Sequence, residues 1–189
     1  EEDLCKKFEV KHALCVSSGT AAIKIALKAL GVKSGDEVIT QGFNFIATVE
    51  AIHDIGAKPV VVAVDDTLNM SPQALERSLT NKTKAIIVVH MLGVPADMDS
   101  LSNIARENQV PIIEDACEAV GGFYNGQSAG TLGDIGVYSF DFGKNITTGE
   151  GGALVTNNLN LDKFARQYHD HGHMNKEGVP RGMDSIAFP

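Results

Sequence analysis

One lysine stands alone in the run Ser139-Phe140-Asp141-Phe142-Gly143-Lys144-Asn145-Ile146-Thr147-Thr148-Gly149-Glu150-Gly151-Gly152. The apolar segment Gly136-Val137-Tyr138-Ser139-Phe140 leads into it, and a second, Ala153-Leu154-Val155-Thr156, follows the glycines. An ammonium between two buried strands must be solvated, paired or used covalently, and covalent use makes Lys144 a Schiff-base lysine. Ser17-Ser18-Gly19-Thr20-Ala21 lies between a strand and a helix. Its free N–H groups and the positive end of the helix dipole suit a phosphate, with Gly19 allowing close approach. The plainer reading is an ordinary helix N-cap. Asp115, in Ile112-Ile113-Glu114-Asp115-Ala116-Cys117-Glu118, ends a buried strand and needs a charged partner or several donors. A pyridinium nitrogen would serve, since a nearby anion favours its protonated form. So would a purely structural role capping the next turn, and a metal held by His90, Glu114 and Asp115 is a third option that no ligand spacing supports.

Two further segments carry weaker signals. Gly42-Phe43-Asn44-Phe45-Ile46-Ala47-Thr48 follows a strand, and its aromatics could stack on a flat ring or pack in the core. Ser139 would bring a hydroxyl near the phosphate, on the strand that leads to Lys144. His169-Asp170-His171-Gly172-His173 lacks both HExxH spacing and a cysteine partner, so it reads as a solvated helix end. The usual nucleotide loops, GxxxxGK[ST] and GxGxxG, are absent.

These residues need strands to aim them. Apolar, β-branched runs at 13–16, 37–40, 59–64, 84–90, 111–115, 135–140 and 153–156 alternate with helical stretches. Several are continuous rather than alternating, the mark of strands covered on both faces and hence of a mostly parallel sheet. Helices are expected at 21–30, closed by Gly31, and at 73–79, opened by Ser71-Pro72. Two more are expected at 97–107, whose apolar residues share one face, and at 161–168. The reading is one α/β domain of about seven strands with right-handed crossovers. In such sheets ligands sit beyond the carboxyl ends of the strands, where the four segments carrying Gly19, Phe45, Asp115 and Ser139 with Lys144 fall.

The 189 residues suffice for one sizeable core and hardly for two. A net charge of -8 argues against a nucleic-acid backbone binder. The longest apolar stretches, such as 85–89, are too short to span a bilayer. Three cysteines without CxxC spacing suit a reducing cytoplasm better than a disulfide framework. The chain opens Glu1-Glu2-Asp3 without a charged-then-apolar leader, lacks an initiator Met, and stops at Ile186-Ala187-Phe188-Pro189 just after a polar loop. We therefore expect it to be part of a longer cytoplasmic protein.

Phosphate turn, aromatic, strand-end Asp and lysine occur in the order used by fold-type I pyridoxal phosphate enzymes. Five motifs sharpen the likeness: Ser18-Gly19-Thr20-Ala21-Ala22, Asn44-Phe45-Ile46-Ala47-Thr48, Val89-His90-Met91-Leu92-Gly93-Val94-Pro95-Ala96-Asp97-Met98, Glu114-Asp115-Ala116, and Lys144-Asn145-Ile146-Thr147-Thr148-Gly149-Glu150-Gly151-Gly152. In register from Phe8 to about Gly172, the chain resembles the DegT/DnrJ/EryC1/StrS family of sugar aminotransferases. The resemblance implies a three-layer α/β/α large domain over 1–189, with a small C-terminal domain lying outside this chain. It implies pyridoxal 5′-phosphate as cofactor, bound to Lys144, with Asp115 on the pyridine nitrogen and Phe45 on the ring. Gly19, Thr20, Ala21 and Ser139 would hold the phosphate. Glu118 falls where many members have a Gln that contacts the ring hydroxyl.

The activity so implied is transfer of an amino group from an amino acid, expected to be glutamate, to a keto group of a nucleotide-linked sugar. A homodimer with a shared site is implied as well. Lys rather than His at 144 favours transamination over the dehydratases of the same family. A dehydratase or inosose aminotransferase remains the alternative within the family, and a non-catalytic cofactor-binding or regulatory protein the alternative outside enzymes.

Overall fold

Continuous apolar runs become the strands of a single 7-stranded sheet in the computed structural model, which describes residues 1–174, 178–180, 183 and 185. The strands are β1 (His12–Val16), β2 (Glu37–Gln41), β3 (Lys58–Val62), β4 (Thr83–Val89), β5 (Ile112–Asp115), β8 (Ile135–Ser139) and β9 (Gly152–Thr156). Between β5 and β8 lies a small hairpin, β6 (Phe123–Tyr124) with β7 (Gln127–Ser128). Across the main sheet the order is β1-β9-β8-β5-β4-β2-β3. Neighbours pair in parallel except β9, which runs antiparallel to both β1 and β8. Each expected strand is present, with ends shifted by a residue or two; Val64, expected within β3, instead bridges Met70. The last expected residues, 186–189, lie outside those described.

Period-2 geometry explains the layering. Along β4, Ala85 and Ile87 join a core with Leu27, Ile52, Ile113 and Leu154, whereas Ile86 and Val88 join one with Met70, Leu75 and Leu101. One strand therefore feeds two cores, and both need helices over them. The first core is roofed by α2 (Gly19–Ala29), with α3 (Ile46–Asp54) and α6 (Leu159–His169) each packed against it. The second lies under α4 (Pro72–Ser78) and α5 (Met98–Glu107). Each fully buried Leu or Ile contributes roughly 1.5–3 kcal/mol relative to exposure. The expected three-layer, mostly parallel architecture is thus what the chain adopts.

Local chemistry sets the helix ends. Ser18 Oγ accepts from Ala21 N at 3.1 Å to start α2, Ser71 does the same for Ala74 N at 3.3 Å in α4, and Asp97 for Ser100 N at 3.1 Å in α5. Gly31 closes α2 at φ +76, and Val32 N reaches back to Leu27 O at 3.0 Å. Two helices escape the apolar pattern. α1 (Glu2–Phe8) is charged along most of its length and buries only Phe8, whose ring stacks on Tyr138 at 4.3 Å. α3 buries only Thr48, Ala51 and Ile52 and leaves Ile46 exposed, so its first turn looks like loop in the sequence. Among the described residues no helix is long and apolar enough to cross a membrane.

Candidate active site

The carboxyl ends of β4, β5 and β8 and the starts of α2 and α3 converge on one cavity of about 370 Å³, within the range of small-ligand sites. Gly19, Thr20, Phe45, Asp115, Glu118, Ser139 and Lys144 all line it. Ala21 does not: it faces a different hollow beside Cys15 and His169, and its N–H is taken by Ser18. The N-cap and the phosphate-turn readings are therefore compatible. Ser18 satisfies Ala21 N through its hydroxyl and Ala22 N through its carbonyl, while Gly19 and Thr20 face the cavity.

The turn is packed so tightly that side chains are excluded from its rear. A Cβ on Gly19 would stand 2.8 Å from Cys117 Sγ and 2.9 Å from Ser139 Cβ. From the other side, a Cβ on Gly152 of β9 would stand 2.4 Å from Ser18 C and 2.7 Å from Gly19 N. Both glycines serve close approach: the start of α2 is clamped between β8 and β9.

Asp115 is 4% exposed and well supplied with donors. Thr48 Oγ1 donates to its Oδ2 at 2.9 Å and Cys117 N to its Oδ1 at 3.2 Å. This is how a buried carboxylate is kept without a metal or an arginine. Burial pushes the Cys117 thiol well above its ordinary pKa, and the neighbouring Asp115 carboxylate adds to the effect. Cys117 is thus a neutral filler of the cavity floor rather than a nucleophile.

Lys144 follows a short turn in which Asp141 Oδ2 accepts from Gly143 N at 3.0 Å and Asp141 O from Lys144 N at 3.0 Å. Its ammonium stands 3.7 Å from Glu118 Oε1 and 5.6 Å from the centroid of the Phe45 ring. Glu118 also accepts from Leu92 N at 3.1 Å, tying the loop after β4 to the lysine. Both side chains keep partial solvent access, so this pair holds position more than it stabilises the fold.

His90 and Glu114, two of the three residues of the metal option, are paired with each other. His90 Nδ1 accepts from Ala96 N at 3.1 Å, so Nε2 carries the proton and donates to Glu114 Oε2 at 2.8 Å, fully buried. Glu114 also accepts from Gly130 N at 2.9 Å and from the amides of Leu132 and Gly133, which pins the 129–133 loop; Asp115, not Glu114, faces the cavity. Among the described residues no group of three or more His, Cys, Asp or Glu is placed to hold a metal ion. At the end of α6, His169 turns to Arg166 O at 3.2 Å and His173 to Ser185 Oγ at 2.7 Å.

Thr48, Cys117, Asp141 and Glu150 line the cavity without having been singled out as site residues in the sequence. Thr48 had a usable signal: it lies three residues after Phe45, one helical turn along the same face, once α3 is recognised.

A lysine, a strand-end carboxylate, an exposed aromatic and a helix-start turn around one cavity, on a sheet of this order, define a fold-type I pyridoxal phosphate protein. The chain belongs to the DegT/DnrJ/EryC1/StrS aminotransferase family, whose pattern matches residues 1–184. The family's cofactor is pyridoxal 5′-phosphate. An aminotransferase from Psychrobacter cryohalolentis is 40% identical, with a TM-score of 0.90 over 92% of this chain and 44% of its own. 3-Amino-5-hydroxybenzoic acid synthase is 37% identical, with a TM-score of 0.93 over 99% of this chain and 49% of its own. DesI, solved in the presence of its TDP-sugar product, is 35% identical, with a TM-score of 0.87 over 91% and 44%. The chain spans less than half the length of these three relatives.

Proposed function

We propose that this chain builds most of the cofactor site of a sugar aminotransferase, which moves an amino group from an amino acid, glutamate in our reading, to a keto group of a nucleotide-linked sugar. The observation that carries this is the convergence of Lys144, Asp115, Phe45 and the Gly19-Thr20 turn on one cavity. The donor set fits the cofactor. An amine suits the aldehyde, a buried carboxylate held by two donors the ring nitrogen, an aromatic face the ring, and free N–H groups with the Ser139 hydroxyl the phosphate. Pyridoxal 5′-phosphate supplies an aldehyde and an electron-withdrawing ring when bound. Lys144 would hold the aldehyde through Nζ, and the same nitrogen, as a free amine, would accept and return a proton. Glu118 would keep that nitrogen close, and Asp115, fixed by two donors, would orient the ring.

A second copy of the chain completes the site in this reading. Asp115, Glu118, Asp141 and Glu150 line the cavity with Lys144 as the one basic residue among its described lining, a poor balance for a phosphate and a nucleotide. Phe43, Phe45, Ile46, Leu92, Val94 and Phe142 are exposed around the same sheet edge. The relatives' greater length supports a further domain beyond this segment. We read the enzyme as cytoplasmic.

The full-length protein, given glutamate alone, should shift its cofactor absorbance and release 2-oxoglutarate, then aminate a keto sugar nucleotide. Lys144→Ala should lose turnover while staying folded. Cofactor binding with no response to glutamate would instead point to a binding or regulatory protein, and loss of a sugar hydroxyl without a new amine to a dehydratase.

A further inference from the structure

Phe45 N-caps α3 through its backbone, with its ring open to the cavity mouth beside Lys144. Thr48 lies three residues on, 2% exposed, with Thr48 N bonded to Phe45 O at 3.2 Å. Its hydroxyl donates to Asp115 Oδ2 at 2.9 Å, across 67 residues of sequence. The other carboxylate oxygen is fixed from its own strand end by Cys117 N. One helical turn therefore carries both the Phe45 ring at the cavity mouth and the hydroxyl that holds the Asp115 carboxylate from outside its own strand end.

We propose that Thr48 is a positioning residue for the cofactor: its hydroxyl sets the plane of the Asp115 carboxylate and locks that carboxylate to the Phe45 turn, so that both meet the ring in one geometry. This rests on the cofactor reading above. Without the hydroxyl, Oδ2 loses a charge-assisted bond in a buried place and the carboxylate is free to turn about its Cβ–Cγ bond. Cys117 N constrains only the far oxygen.

The test uses the full-length protein, pyridoxal 5′-phosphate itself and two substitutions. Thr48→Val keeps the branched shape and removes the hydroxyl, whereas Thr48→Ser keeps the hydroxyl. Hydrogen bonds to charged groups of this kind predict about a tenfold or greater rise in the cofactor Kd for Thr48→Val. Its bound chromophore should show a shifted absorption band and an altered pH titration of that band, which a purely structural role would not move. Thr48→Ser should retain the unaltered Kd within about threefold, with an unaltered spectrum. A Thr48→Val protein with unaltered affinity and spectrum would overturn the proposal, as would a Thr48→Ser protein as impaired as Thr48→Val. Should Thr48→Val not fold, the Thr48→Ser spectrum and Kd decide alone. Failure of the unaltered protein to bind the cofactor would overturn the cofactor reading and this proposal with it; normal binding there isolates the fate of Thr48.

Discussion

Replacing Gly152 by alanine tests whether the clamp on the phosphate turn matters for binding. The added Cβ would fall 2.4 Å from Ser18 C, 2.5 Å from Ser18 O and 2.7 Å from Gly19 N. All three are backbone atoms, so no side chain can swing aside. Relief requires the start of α2 to move by about 1 Å from β9, enough to pull its N–H groups out of hydrogen-bond range of anything they hold. Overpacking of this kind costs about 1–3 kcal/mol of stability. Loss of one bond to a charged group raises the cofactor Kd by a factor of about 10 to 100. Urea unfolding of the cofactor-free protein measures the first effect and spectrophotometric titration with pyridoxal 5′-phosphate the second. Gly35→Ala is the control: nothing lies within 4 Å of its Cβ, but φ is +89, so it should lose about 1–2 kcal/mol through backbone strain alone. It should leave cofactor affinity unchanged. A Gly152→Ala protein that binds the cofactor within twofold of the unaltered protein would refute the clamp argument.

Two further outcomes are expected. Asp97 caps α5, and hydrogen bonding to Ser100 holds its carboxyl below the ordinary value. A lowered folded pKa contributes stability above the unfolded value and loses it as pH falls through the folded one. Asp97→Ala should therefore cost about 0.5–2 kcal/mol at pH 7 and progressively less below about pH 4, as read by urea unfolding at several pH values. At pH 8 a thiol reagent should modify exposed Cys15 well before Cys117, whose burial keeps it protonated; equal rates in peptide mapping would contradict the filler role.

The strands were legible because the central ones had to be apolar on both faces, and residues 84–89 show the pattern at its plainest. Their order was not legible: nothing in Ala153-Leu154-Val155-Thr156 says that β9 runs against its neighbours. α1 and α3 were missed for different reasons, one too charged to look buried and the other opening on an exposed Ile46 after an exposed Phe45. Lys144, Asp115 and the Gly19 turn stood out because each is a costly group at a strand end. Thr48, by contrast, is an unremarkable residue until the fold brings it to Asp115. His90 and Glu114, adjacent in chemistry and plausible as metal ligands, turn out to satisfy each other. Pairings between segments far apart in sequence decide such cases, and composition does not encode them.

The central claim is that Lys144 carries the cofactor. The full-length protein, loaded with pyridoxal 5′-phosphate and reduced with borohydride, should yield a pyridoxyl-modified peptide with the label on Lys144. A folded protein that takes no label, or takes it on another lysine, would contradict the account.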